Sequence, residues 1–280
     1  MKVTVYIPTY NRPHLLKRAV ESVLKQTYQD IEIIVVNDGE PLPPDLLNYL
    51  TENAVTCLKT DGNQRACVAR NIAILASSGD YVTGLDDDDC FEINRIEEFV
   101  QAAKQQPAKM FFTGYQFIEK RLTKKRMPSM TSVALDDILK ANVINNQVFA
   151  PRSFYIEAGL FDEALPAWQD FDMWVRMIAK FGDAILIPNY SYIMDGSEDV
   201  RISKKKENIM QAIALFQQKH KSLYGSDNEL KAHLLFNKQS YFQVPFKIED
   251  IIEMYKHLSS IKISRLMLEK SLFRLTGLKI

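Results

Sequence analysis

Apolar and polar positions follow two alternating periods over the first 120 residues. The run VTVYI (3–7) predicts a strand, and it breaks at Pro8-Thr9-Tyr10-Asn11-Arg12-Pro13. Pro13 suits the first turn of a helix. Leu15, Leu16, Ala19, Val20, Val23 and Leu24 then form one apolar stripe at helical spacing. IEIIVV (31–36) is nearly continuous, as expected of a central strand covered on both faces, and ends at the turn Asn37-Asp38-Gly39. Val55–Leu58 predicts a third strand, Ala66–Leu75 a second helix, and Tyr81–Leu85 a fourth strand that runs straight into Asp86–Asp89. A helix over Phe91–Gln105 follows. Repeated strand–helix–strand units with short links imply an α/β fold around a doubly wound, mostly parallel sheet. In such sheets ligands bind beyond the carboxyl ends of the strands. Thr9, Asp38 and Asp86–Asp89 all stand at predicted strand ends, so one rim should collect them.

The pattern then loosens. Phe111–Ile118 predicts a strand, followed by the basic link Lys120-Arg121-Leu122-Thr123-Lys124-Lys125-Arg126, read as a solvated loop with an acceptor-phosphate contact as the alternative. Phe171–Phe181 predicts a helix with Met173, Trp174, Met177 and Ile178 inward, and AILIP (184–188) a further strand. From Lys204 onward the period is helical, in four segments near 205–222, 227–240, 248–259 and 261–275.

Charge divides the chain at about the same place. The net charge is zero, yet residues 1–200 carry 20 Lys+Arg against 28 Asp+Glu, and residues 201–280 carry 15 against 7. The expected organisation is therefore a sheet domain over 1–200 and a basic helical C-terminal region over 201–280. At 46% hydrophobic and 25% charged residues the chain is an ordinary globular one. No apolar run approaches the ~18–20 residues needed to cross a bilayer. The start, MKVTVYIPTYNR, lacks the apolar core and cleavage site of a signal peptide. Cys57, Cys67 and Cys90 are three unpatterned cysteines, which fits reduced thiols in a cytoplasm.

Four consecutive aspartates after an apolar strand change the picture from fold to chemistry. Like charges a few ångströms apart destabilise one another unless a cation neutralises them. Carboxylate oxygens suit Mg²⁺ or Mn²⁺, which commonly bind one or two carboxylates together with substrate phosphates. Around this run the chain resembles the inverting glycosyltransferases of family 2. The matching elements occur in order: Pro8-Thr9-Tyr10-Asn11-Arg12, Val36-Asn37-Asp38-Gly39, Ala69-Arg70-Asn71 and Leu85-Asp86-Asp87-Asp88-Asp89, then Gly159-Leu160-Phe161-Asp162-Glu163 and Trp168-Gln169-Asp170-Phe171-Asp172-Met173-Trp174. They span roughly residues 1–200. The helical remainder carries no signature of the family.

The resemblance implies a GT-A, Rossmann-like fold, a nucleotide-sugar donor (UDP-linked by preference), a Mn²⁺ or Mg²⁺ cofactor, and a glycan or lipid-linked glycan acceptor of bacterial surface polysaccharide assembly. By motif, Pro8, Thr9 and Tyr10 lie against the nucleotide base with Arg12 beside them, and Asp38 accepts from the base. Arg65, or alternatively Arg70, contacts the base or diphosphate. Asp86 or Asp87 faces the ribose and Asp88 the metal. Asp170 is the general base that takes the acceptor's hydroxyl proton, a role that typically contributes ~10²–10⁴-fold. It also suits the N-cap of the helix that follows. Trp168 could floor an acceptor sugar, with Gln169 beside it.

Several positions depart from the family's pattern. Asn37 stands where Asp is frequent, and Gln169 where Glu is common, so the base assignment rests on Asp170 alone. Where many relatives place a metal-binding histidine, the chain has Tyr192-Ile193-Met194-Asp195-Gly196-Ser197. Asp195 is either a replacement ligand or an ordinary turn residue. Other readings are a nucleotidyltransferase, which would be expected to carry a Gly-rich phosphate loop after the first strand, and a non-catalytic nucleotide-sugar-binding protein. No nucleic-acid-binding module is visible. In 251–280 basic residues interleave with apolar ones. That pattern fits a helical pair packed on the sheet domain, and equally a peripheral contact with the anionic inner face of the cytoplasmic membrane.

Overall fold

The computed structural model describes residues 1–119, 122–196 and 206–225. Strands β1 (Val3–Thr9), β2 (Ile31–Asn37), β3 (Thr56–Lys59) and β4 (Tyr81–Gly84) are joined by helices α1 (Pro13–Leu24), α2 (Pro44–Glu52) and α3 (Arg65–Ala76). β5 (Cys90–Phe91) and α4 (Arg95–Gln105) follow. Then come β6 (Met110–Glu119), β7 (Leu122–Arg126), β8 (Ser132–Val133), α5 (Leu135–Ile138), β9 (Phe149–Pro151), α6 (Arg152–Glu157), α7 (Gln169–Phe181), β10 (Ala184–Asp195) and α8 (Lys206–His220).

One sheet takes the order β3-β2-β1-β4-β9-β6-β10-β5. β3, β2, β1 and β4 are mutually parallel, and β6 and β10 form a second long parallel ladder. Short antiparallel strands join and border them, so the sheet is mixed but mostly parallel by length. The alternation expected of strands covered on both faces is present. Val3, Val5 and Ile7 of β1 pack with Leu16, Ala19 and Val20 of α1, Leu50 of α2 and Phe99 of α4 in one core. α3 covers β1 and β2 from the other face, with α6 and α7 beside it. Among the described residues no helix is long and apolar enough to cross a membrane.

Three expectations need correction. Phe91 does not begin a helix: Cys90 and Phe91 pair with Ile193 and Tyr192 of β10, and α4 starts four residues later at Arg95. The basic link is not a loop, since Leu122–Arg126 forms β7 antiparallel to β6, although its side chains are solvated as expected. The strand predicted at 184–188 runs on to Asp195 through a bulge between Ile187 and Tyr192. Backbone pairing overrides the local polarity of these segments.

The chain forms two compact units, one of residues 1–138 and 142–209, the other of 139–141 and 210–280. In the second, Ala212 and Phe216 of α8 are buried, and Phe216 packs on His220 with ring centroids 4.4 Å apart. Tyr224 Oη donates to the Leu139 carbonyl at 2.9 Å. The helices expected at 227–240, 248–259 and 261–275, and with them the basic apolar pattern of 251–280, lie outside the described residues.

The end of the sheet away from the carboxyl rim is tied by Glu32. It accepts from Thr4 Oγ1 at 2.5 Å, from the Ser78 backbone and hydroxyl at 2.8 and 2.6 Å, and from Lys2 Nζ at 3.2 Å. This joins β1, β2 and the loop before β4. Partial burial disfavours the charge, but these hydrogen bonds outweigh it and hold the carboxyl down at about 2, against an ordinary 4.5. A depressed carboxylate stabilises the fold above its unfolded value and loses that contribution as pH falls through the folded one. Glu32→Gln is expected to cost roughly 1–3 kcal/mol at pH 7. Urea titrations should show the gap to the parent protein narrowing as the pH falls from 4.5 towards 2.

Candidate active site

The rim forms as the strand pattern implies. β1 ends at Thr9, β2 at Asn37 with Asp38 next, and β4 at Gly84 followed by Leu85 and the four aspartates. The Asp38 N–H donates to the Thr9 carbonyl at 2.9 Å and the Leu85 N–H to Tyr6 at 3.0 Å, so the parallel register continues past the strands into the site.

Each aspartate of the turn has its own partners. Asp87 points inward and is buried: its Oδ2 accepts from Thr9 Oγ1 at 2.7 Å, and Arg12 closes on its Oδ1. Burial raises its carboxyl to about 6 despite Arg12 and Thr9, with Asp88 and Asp86 adding to the rise. Asp89 is buried as well, accepting from Tyr192 Oη at 2.8 Å and from the Asp195 N–H at 3.0 Å. Burial and the charges of Asp86 and Asp88 push it far up. Asp86 and Asp88 are the open pair, with side chains 24% and 23% exposed. Asp86 accepts from Arg70 Nη2 at 3.0 Å, Asn146 Nδ2 at 2.9 Å and Gln147 Nε2 at 3.3 Å. Asp88 meets Arg12 Nη1 at 3.1 Å, and burial followed by the charge of Asp86 raises it. Asp87 and Thr9, both expected at the nucleotide, are thus bonded to each other. Asp86 is the better placed of the two ribose candidates.

The donor set suits a hard divalent cation: two partly open carboxylates at one turn, crowded by two buried ones and left acidic in sum. Asp195 lies against the turn through its N–H, and its carboxylate is engaged by Arg18. Its Oδ2 pairs with Arg18 Nη1 at 2.5 Å, and Arg18 Nη2 donates to the Asp88 carbonyl at 2.6 Å. Among the described residues no cluster of three or more His, Cys, Asp or Glu side chains has metal-binding geometry.

Asp38 caps α3 from another element. Oδ1 accepts from Thr60 Oγ1 at 2.5 Å and the Gln64 N–H at 2.8 Å, and Oδ2 from the Arg65 N–H at 2.8 Å. One lone pair of Oδ2 is left for a base N–H. Arg65 begins α3 at a positive φ of 76° and is exposed, whereas Arg70, one turn further on, is committed to Asp86. Burial weakens the Arg70 charge, but Asp86 and Tyr6 outweigh it and hold the guanidinium protonated. Asn37 serves the turn: its Nδ2 donates to the Glu40 carbonyl at 2.8 Å, and its Oδ1 accepts from the Gly39 N–H at 3.1 Å. A Cβ at Gly39 would fall 2.1 Å from Asn11 Oδ1 and 3.0 Å from the Asn11 backbone nitrogen, so a larger residue there would displace the Asn11 side chain. Pro8 is buried within β1 opposite Val36, while Tyr10 is 46% exposed and keeps its ring free to stack.

At the second half of the rim, Trp168 occupies the N-cap of α7 in a left-handed conformation, φ 61°. Asp170, expected at that cap, lies instead in the first turn, its Oδ1 accepting from the Phe171 N–H at 2.8 Å. Loss of solvation is the main cause of its raised carboxyl, opposed by that N–H and by Arg70 and reinforced by Asp86. Trp168 is buried with Phe171 edge-on at 5.4 Å, so it presents no open floor for a sugar, and Gln169 is half-buried beside it. Trp174 is core, as expected.

The sequence reading missed Arg18, Asn142, Asn146, Gln147 and Tyr192. Arg18 interrupts no pattern on α1. The cluster Asn145-Asn146-Gln147, polar but uncharged between predicted elements, was the one available signal, and Gln147 is buried.

Three comparisons bear on this geometry. The family model described as Glycosyl transferase family 2 matches residues 4–160. WcaA of Escherichia coli (strain K12), provisionally named a colanic acid biosynthesis glycosyl transferase, is 31% identical over 245 residues, covering 84% of this chain and 86% of its own. An uncharacterized glycosyltransferase of Rickettsia felis is 27% identical over 223 residues, but this chain spans only 37% of that protein. Among solved structures, S. aureus TarS 1-349 in complex with UDP-GlcNAc superimposes with a TM-score of 0.71 at 15% identity, covering 98% of this chain and 88% of that one. The mannosyltransferase PcManGT of Pyrobaculum calidifontis, solved with GDP-Man and Mn2+, gives 0.61 at 15% identity, covering 98% of this chain and 80% of that one. These likenesses establish the GT-A fold. With more than half of its length matched by the family model, the chain belongs to glycosyltransferase family 2 and is a glycosyltransferase enzyme.

Proposed function

We propose that the enzyme moves one sugar from a nucleotide-diphosphate donor, UDP-linked, to a hydroxyl of a glycan or lipid-linked glycan acceptor in bacterial surface polysaccharide assembly, by single displacement with inversion. The observation that carries this reading is that one segment reaches both carboxylate groups: Asn146 and Gln147 donate to Asp86 at 2.9 and 3.3 Å, and Asn142 to Asp170 at 3.2 Å. Asp86 of the acidic turn pairs with Arg70, and the recessed Asp170 of α7 feels the charges of both. A nucleotide site and a candidate base therefore share one rim. The likeness to WcaA supports the polysaccharide setting, and the TarS complex supports a UDP-sugar.

Asp88, with Asp86 beside it, is the residue to hold Mn²⁺ or Mg²⁺. Held there, such an ion would supply Lewis-acid stabilisation of the charge on a departing nucleotide. Asp195 joins that set only by releasing Arg18. Tyr10 offers its exposed ring to the base, Asp38 its remaining lone pair, and Arg65 a mobile cation near the diphosphate. Arg12 and Arg18 keep the acidic turn in place from the α1 side. Asp170 takes the proton from the attacking hydroxyl on the face opposite the departing nucleotide. Burial makes it a stronger base than an ordinary carboxylate, and the charge of Arg70 opposes that rise.

Asp88→Ala is expected to lower metal-dependent release of nucleoside diphosphate by ~10²-fold or more while cooperative unfolding persists. Excess EDTA should do the same to the parent enzyme, and full turnover in EDTA would remove the metal from the scheme. Asp170→Asn should retain nucleotide binding, measured by calorimetry, and lose transfer by ~10²-fold or more. NMR of the product should show an inverted anomeric configuration. For a membrane-bound acceptor, several basic residues near an anionic surface at ~1 kcal/mol each suffice to concentrate the enzyme there. Sedimentation with vesicles containing anionic lipid should then be salt-sensitive and lost on removing residues 261–280.

A further inference from the structure

The segment before β9 closes a chain of hydrogen bonds onto α7 at two places one turn apart. Asn142 Nδ2 donates to Asp170 Oδ2 at 3.2 Å. The same carboxamide spans a tight turn: its Nδ2 also faces the Asn145 carbonyl at 3.2 Å, and its Oδ1 accepts from the Asn145 N–H at 3.1 Å. Asn145 stands at a positive φ of 72°, a conformation that asparagine tolerates better than most residues. Its carbonyl in turn accepts from Trp174 Nε1 at 2.7 Å, and Trp174 is fully buried on the helix that bears Asp170. The turn is thus anchored in the core at one end and touches the candidate base at the other.

We infer that Asn142 is a positioning residue for Asp170, fixing the orientation of its carboxylate and favouring its ionised form. The inference rests on the reading of Asp170 as the general base. The Phe171 N–H holds Oδ1 and Asn142 holds Oδ2, so the carboxylate is fixed at both oxygens while a lone pair remains to receive a proton. A carboxamide N–H bonds a carboxylate oxygen more strongly than the same oxygen once protonated, so it opposes premature protonation. The other groups that face Asp170 are Arg70 and Cys67 from α3, Tyr6 from β1 and Asp86 from the acidic turn. Arg70 acts in the same direction as Asn142, and Asp86 against it.

The test reads the carboxyl itself. In protein labelled with ¹³C at the aspartate carboxyls, the Asp170 signal is assigned by its loss in Asp170→Asn and followed through a pH titration. Asn142→Ala should raise its midpoint by roughly one pH unit. Asn142→Asp keeps the Oδ1 acceptor for the Asn145 N–H while replacing the donor by a second carboxylate, and should raise it at least as far. It also guards against poor folding of the alanine variant. A melting temperature lowered in both variants with the Asp170 midpoint unmoved would make the turn merely structural and overturn the inference. Nucleoside-diphosphate release by Asp170→Asn is read separately. Full release there would retire the base, and with it the catalytic meaning of the contact, whereas an unmoved midpoint would retire Asn142 alone.

Discussion

Four carboxylates in sequence at the end of β4 set the terms for everything around them. Adjacent residues of a tight turn cannot place like charges far apart, so the fold sends them in different directions and gives each its own donors. Asp87 turns inward onto Thr9 and Arg12, and Asp89 onto Tyr192 and the Asp195 N–H. Asp86 turns to Arg70, Asn146 and Gln147, whereas Asp88 has Arg12 alone as a side-chain donor among the described residues and shares it with Asp87. The donors come from the β1–α1 loop, from α3, from the segment before β9 and from β10. Satisfying the turn therefore fixes the mutual placement of the elements that surround the site. The negative charge that remains at the open pair is what can attract a divalent cation.

Several motif residues that look chemical hold the scaffold instead. Asn71 exchanges hydrogen bonds with both backbone groups of Phe161, each at 2.9 Å, and donates to Glu163 Oε1 at 2.9 Å. The Ala69-Arg70-Asn71 and Gly159–Glu163 motifs are thus two sides of one contact, and it aims Arg70 at Asp86. Asp172, fully buried, pairs with Arg176 at 2.8 Å, and Arg176 in turn holds the carbonyls of Ala158 and Leu160. Such an ion pair is costly to break, because removing one partner strands the other's charge. Of the two aspartates in Trp168–Trp174, one is spent on this clamp, and only Asp170 keeps a lone pair towards the rim.

The two halves of the site differ in how they are made stiff. On the donor side, β1, β2 and β4 carry their register directly into the loops, so Asp38 and the acidic turn are extensions of a parallel ladder. On the α7 side the backbone is irregular, and side-chain hydrogen bonds do the same work. Trp168 and Leu160 adopt left-handed conformations, both at φ 61°, and buried polar contacts hold them there. Catalytic groups held to within a fraction of an ångström gain most from such fixing, whichever means supplies it.

Which groups can be chemical was legible in the chain. Periodicity placed β1 to β4 and α1, α3 and α7 because a strand or helix buried on one side must repeat its apolar residues at its own period. Strand ends marked by Thr9, Asp38 and Asp86 then located the rim without any tertiary contact. What the sequence left undecided was how each polar group is spent. Asp86 and Asp87 are equivalent in sequence, and only the arrival of Arg70 on one and of Arg12 with Thr9 on the other separates them. Asp195 reads as a ligand or a turn residue until Arg18, 177 residues earlier, takes its charge. Asn142 and Trp174 belong to no shared local pattern, yet meet at α7 through Asn145. Short edge strands such as β5 and β7 were missed for the same reason: their pairing partners are distant in the chain, and backbone hydrogen bonding, not side-chain period, holds them in place.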